Sequence, residues 1–193
     1  LHDQLDWTQL HLRTVKSKQR QDIMINASEI VKYKSYNDYA NLRCPYENSP
    51  FKIYKDMSSK RKGATFEKIF EEYMKSFGFE MRKNHSSDHD RVFVVNGIET
   101  KFEIKGSTLW GEDGTSMKFQ QIRVDQDYDI MIFMAVLPES INFYYADKDT
   151  LSKYLDVQDD KGRWIYNQHG GNRVRSGTFA IQGLIEDWPF MKP

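Results

Sequence analysis

His89-Asp90-Arg91-Val92-Phe93-Val94-Val95-Asn96-Gly97-Ile98-Glu99-Thr100-Lys101-Phe102-Glu103-Ile104-Lys105 is a stretch that carries its own strand register. Asn-Gly between two apolar runs is the strongest short-range signal for a two-residue type I′ hairpin turn, because both central residues need positive φ. With Asn96-Gly97 at the tip, Val95 faces Ile98, Val94 faces Glu99, Val92 faces Lys101, and Asp90 falls opposite Glu103. Alternation along the strand puts Lys105 on the same face as Glu103, roughly 7 Å further on. Opposed carboxylates repel unless positive charge sits between them, and a divalent metal is the natural candidate.

Upstream, Phe66, Ile69, Phe70, Tyr73, Met74 and Phe77 recur at offsets of three and four and stop at Gly78, which predicts an amphipathic helix over 61–77 with a glycine at its end. Residues 79–83 fit a short strand, 89–95 and 98–105 the hairpin, and 106–116 a Gly/Ser/Thr-rich loop. Residues 116–124 read as a short helix. The nearly unbroken apolar run 128–137 suits a strand covered on both faces, and 141–146 a second one. A helical turn at 151–155, a polar loop over 161–172 and a last strand at 178–182 follow, while 21–42 reads as irregular helix. This order predicts an α/β fold with a central mixed β-sheet flanked by helices, behind an N-terminal, largely helical extension.

The chain has 193 residues, enough for one substantial core, and no Pro/Gly/Ser-rich linker divides it. We therefore expect an N-terminal extension over 1–60 and a main domain over 61–193. Cys44 is the only cysteine, which excludes an intramolecular disulfide and a cysteine-built zinc site. No apolar run approaches a membrane span and no signal-peptide pattern opens the chain, so the expectation is a cytoplasmic protein with no membrane partner. The formal net charge is zero, yet residues 1–63 carry twelve Lys/Arg against seven Asp/Glu, and the remainder sixteen against twenty-one. That split fits a basic DNA-facing extension beside an acidic metal site, and equally a solvated surface.

Asp90 followed by Glu103-Ile104-Lys105, on the second and third strands after an amphipathic helix, resembles the PD-(D/E)xK nuclease superfamily. Within it the chain is most similar to a type II restriction endonuclease, over about residues 61–146. The resemblance implies a restriction-endonuclease-like αβββαβ core, Mg2+ as cofactor with Mn2+ able to substitute, double-stranded DNA as substrate and a homodimeric state. By motif match Asp90 and Glu103 bind the metal, the Ile104 carbonyl completes its site, and Lys105 orients or activates the attacking water. The residue before Asp90 is His89, not proline, and Asp88 precedes it on the same face opposite Lys105, so Asp88 competes for the metal role. Glu67 resembles the helix glutamate that many relatives aim at the metal, with Glu71 and Glu72 as alternatives. The competing reading of the hairpin is ordinary: Glu99, Lys101, Glu103 and Lys105 as a charged solvent face.

His85 and His89 flank the aspartates, but a zinc site needs three or four convergent ligands. For DNA binding, Lys60, Arg61 and Lys62 precede the helix, Ser107 follows the motif, and Gln120, Gln121 and Arg123 lie beyond it. Gln and Arg can read adenine and guanine edges bidentately. Arg173 and Arg175, after His169-Gly170-Gly171, offer guanidinium forks for phosphate. Each set is equally explained as solvated surface.

Overall fold

The computed structural model describes residues 45–109, 116–168, 178–183 and 188. The expected helix over 21–42, and with it most of the N-terminal extension, lies outside the described residues, as do Arg173 and Arg175. In chain order the elements are α1 (Lys52–Asp56), α2 (Ser59–Ser76), β1 (Glu80–Arg82), β2 (Arg91–Val95), β3 (Ile98–Thr108), β4 (Met117–Ile122), β5 (Ile130–Val136), β6 (Ile141–Asp147), α3 (Lys148–Leu155) and β7 (Phe179–Gly183). The fold is mixed α/β. A five-stranded sheet runs in the order β1-β2-β3-β5-β6, and β4 pairs with β7 in a separate two-stranded ribbon. Only β3 and β5 run parallel; the other neighbours in the large sheet are antiparallel.

The hairpin forms as its sequence predicts. Asn96 and Gly97 have φ of 51° and 80°, and the ladder pairs Val95 with Ile98, Val94 with Glu99 and Val92 with Lys101. Helix α2 ends in a Schellman motif at Gly78, whose φ of 82° suits a residue without Cβ: Gly78 N–H donates to the Lys75 carbonyl and Phe79 N–H to that of Met74. Phe70 and Met74 of α2 pack on Phe93, Val95, Phe102, Ile104, Ile130 and Ile132, one face of the sheet. Met131, Phe133 and Ala135 point the other way, against Met117, Phe119, Phe179 and Ile181 of the ribbon and Leu151 and Leu155 of α3. Strand β5 is therefore buried at every position, as its unbroken apolar run predicts.

Two segments depart from expectation. Residues 117–122 form strand β4, not a helix, so the segment between β3 and β5 contributes to the ribbon. Met117 and Phe119 alternate as in a strand, but the register shifts between Phe119 and Ile122, and Gln121 takes a φ of 58°. This bulge brings Ile122 back inward three residues after Phe119, and an i, i+3 apolar spacing imitates a helix. Strand β3 also runs on through Gly106, Ser107 and Thr108, where a loop was expected. Gly106 is needed there: a Cβ on it would meet the Phe66 ring at 1.7 Å.

Candidate active site

Strand β2 begins at Arg91, and its regular ladder ends on the pair Arg91–Phe102. One residue earlier the Asp90 N–H donates to the Phe102 carbonyl, while Asp90 Oδ2 accepts from the Ile104 N–H at 2.8 Å. The aspartate is thus pinned by its own carboxylate against the strand that carries Glu103 and Lys105. Lys105 Nζ donates to Glu103 Oε1 at 2.6 Å. The Glu103 side chain is 7% exposed and that of Lys105 18%. This burial sets Glu103 apart from a charged solvent face: Glu99 lies in solvent, but Glu103 does not.

Burial pushes the Glu103 carboxyl above its ordinary range, Lys105 pulls it back, and the neighbouring charges of Asp90 and Glu67 push it up again. Tyr128, near enough to feel its charge, is 2% exposed, and its hydroxyl has no hydrogen-bond partner among the described residues. Burial first, and then the charge of Glu103, raise that phenol.

Glu67 projects from α2 toward the same set. Desolvation and Asp90 raise its carboxyl, and Arg91 opposes them. Arg91 occupies the α2 side of β2, an inward position in line with Phe93 and Val95. Its Nη1 donates to Glu67 Oε2 at 3.1 Å and to the Asp90 carbonyl at 2.7 Å, and its Nε to Glu71 Oε2 at 3.0 Å. The sequence reading missed this residue. Its signal was present: an arginine on the apolar face of a strand needs acceptors, and Glu67 and Glu71 stand one helical turn apart. Asn84 was missed too; its Nδ2 donates to the carbonyls of His89 at 2.7 Å and Asp90 at 3.3 Å, closing the loop before β2.

That loop separates Asp88 from Asp90. Asp88 is exposed, its N–H donating to Ser86 Oγ at 3.0 Å, and no strand pairing carries it opposite Lys105 as an extended β2 would require. His89 is buried with Nδ1 2.9 Å from the Asp127 carbonyl, and His85 is exposed. Glu72 is exposed and pairs with Lys75 at 3.6 Å. Among the described residues no three His, Cys, Asp or Glu side chains converge closely enough to hold a metal ion. Asp90 and Glu103 nevertheless fit a hard cation: each offers one carboxylate oxygen with no hydrogen bond among the described residues, and Mg2+ takes few protein ligands and several waters.

The residues expected to face DNA divide. Lys60 and Arg61 are exposed in the first turns of α2, whereas Lys62 is half-buried, its Nζ 3.4 Å from the Lys55 carbonyl and its ammonium pushed down by burial first and then by Lys55. Gln120, Gln121 and Arg123 are exposed, the glutamines at the β4 bulge, with Gln121 N–H held by Gln168 Oε1 at 2.8 Å. Ser107 is buried; its hydroxyl donates to the Thr108 carbonyl and accepts from Lys118 N–H, tying β3 to β4.

No helix among the described residues is long and apolar enough to cross a membrane. No protein-family model matches the chain, and no curated protein matches it. Among solved structures it is similar to a bacterial homing endonuclease, with a TM-score of 0.42 and 26% identity, over 54% of this chain and 79% of that one.

Proposed function

We propose that the chain is a Mg2+-dependent endodeoxyribonuclease of the PD-(D/E)xK kind, hydrolysing phosphodiester bonds of duplex DNA in the manner of a type II restriction endonuclease. The observation that supports this most is the buried Glu103–Lys105 pair, on either side of the Ile104 amide that donates to the Asp90 carboxylate. A buried ion pair is a costly way to stabilise a sheet, and apolar residues of similar volume usually do as well or better. Here the pair sits where two carboxylates and an ammonium can address one phosphate.

Asp90, Glu103 and the Ile104 carbonyl would hold the metal, which supplies Lewis-acid charge for the scissile phosphate and a water of lowered pKa. The chain's own groups do the rest. The Lys105 ammonium, steered by Glu103, has further N–H donors with which to hold the attacking water. Asp90 is kept in place by the Ile104 amide, and its peptide by Arg91 and Asn84. Lys60 and Arg61 offer phosphate contacts, and Gln120, Gln121 and Arg123 at the bulge of a two-stranded ribbon offer base-edge contacts. A chain with one such site cuts both strands most simply as a homodimer, because the two backbones are related by local dyads.

A supercoiled plasmid incubated with and without Mg2+ tests the reading. We expect nicked or linear product only with the metal, and none from Glu103→Gln, which keeps shape and removes charge. A mobility shift without cleavage would mark a DNA-binding module that keeps the fold without the chemistry. Glu103→Gln turning over at the wild-type rate would remove the proposed site.

A further inference from the structure

Arg91 bears on how many cations the site can take. Its guanidinium bridges Glu67 and Glu71, and it also holds the Asp90 carbonyl. Lys75 Nζ stands 2.5 Å from Glu71, so that helix glutamate already has a cation of its own. The charges that act on Glu103 and Glu67 are then Asp90 and each other against Lys105 and Arg91. One divalent ion would take Asp90 and Glu103 as its ligands. A second would require Glu67 to leave Arg91 and turn to the metal, and among the described residues no third carboxylate converges with Asp90 and Glu103.

We propose that Arg91 is a positioning residue that engages Glu67 and so restricts the site to one divalent ion per chain. The proposal rests on the reading of Asp90 and Glu103 as metal ligands. Arg91 suits the role because a guanidinium keeps its charge at every working pH and its planar fork can hold two carboxylates at once. Lysine at this position would lose the fork but keep the charge that engages Glu67.

The test counts bound Mn2+ by calorimetric titration of the full chain without DNA, with thermal melting of each variant to establish folding. Wild type should bind a single ion per chain. Arg91→Met, which keeps the apolar stem and removes the charge, should bind a second ion, and adding Glu67→Gln to it should abolish that second ion. Arg91→Lys should return to a single ion, an outcome that a merely structural role for the arginine would not give. If Arg91→Met fails to fold, Glu67→Gln alone decides: the proposal requires the single ion to remain, and its loss would make Glu67 a ligand and overturn the inference. Two ions on wild type, or one on a folded Arg91→Met, would also overturn it while leaving the nuclease reading standing. No ion bound by wild type would overturn that reading itself.

Discussion

Gly106→Ala tests the contact that seats α2 on β3. A Cβ at residue 106 would lie 1.7 Å from Phe66 Cδ2, 2.3 Å from Cε2 and 2.7 Å from Cγ. Turning the ring about its own axis cannot move Cγ, so Phe66 must change χ1 or the strand must part from the helix. Neither is easy. Phe66 is 2% exposed and packs with Tyr46, Met134 and Val136, and its ring centroid is 6.0 Å from that of Tyr54. Overpacking usually costs about 1–3 kcal/mol, and the upper half of that range, at about 2–4 °C per kcal/mol for a chain of this size, lowers Tm by roughly 4–12 °C. The control is the same substitution in Phe66→Ala, which by itself costs about 3–5 kcal/mol. With the ring gone the clash goes too, and replacing glycine inside a strand then favours the fold by up to about 1 kcal/mol. Gly106→Ala should therefore destabilise one background and leave the other neutral or more stable. Chemical denaturation of the four proteins gives the cycle. An equal loss in both backgrounds would refute the contact. Because Phe66 precedes Glu67 and Gly106 follows Lys105, cleavage by folded Gly106→Ala should also fall, by about a hundredfold if the site shifts by 1 Å.

Lys105→Ala should cut the single-turnover cleavage rate by roughly a hundredfold or more, with little loss of DNA affinity in Ca2+, since a group that positions water acts on the chemical step. Lost affinity with an unchanged saturated rate would make it a phosphate contact. Asp90→Asn should lose Mn2+ binding and cleavage together, whereas Asp88→Asn, changed on an exposed loop, should keep both; the reverse ranking would reassign the ligand. Tyr128→Phe removes a buried hydroxyl with no hydrogen-bond partner among the described residues and should stabilise the metal-free protein by about 1 kcal/mol. A lower Tm would show that the hydroxyl is satisfied in solution. Glu71 is held below its ordinary range by Lys75 first and then, against some desolvation, by Arg91. Its contribution is therefore present above the unfolded value of 4.5 and lost as pH falls through the lower folded value. Glu71→Gln should cost less than about 1 kcal/mol at neutral pH, with the deficit shrinking in acid; a deficit that grows in acid would contradict the ion pairs.

What the sequence made legible was local. Asn96-Gly97 fixes a register by turn chemistry alone, and the 3–4 spacing of α2 and the apolar run of β5 report burial directly. Features that depend on distant partners were not readable. The bulge at Gln120-Gln121 turns a strand into a helix-like pattern, and only pairing with β7 tells them apart. Arg91 drew no reading because its acceptors lie on α2, about twenty residues away. Asp88 competed with Asp90 because alternation was carried past the end of β2, where Asn84 closes a loop.

The burial of Glu103 also bears on why a sheet with so apolar a centre keeps charge in it. Glu103 and Lys105 lie beside Met131 and Phe133 of β5 on the face covered by the ribbon, where leucine or valine would pack without desolvation cost. Their attraction offsets that cost only in part: the carboxyl is still pushed up, and the nearby Tyr128 hydroxyl has no hydrogen-bond partner among the described residues. Asp90 and Glu67 add like charge to the same place. Stability alone would favour apolar residues of similar volume in place of the whole pair, although removing either partner singly would leave an uncompensated buried charge. A cation at Asp90 and Glu103 would relieve both the repulsion and the desolvated charge, so the metal-free protein should be the less stable form. Tm should rise with Mn2+ in wild type and not in Glu103→Gln. A wild-type Tm indifferent to Mn2+ would mean that the buried charges serve the fold and not a metal.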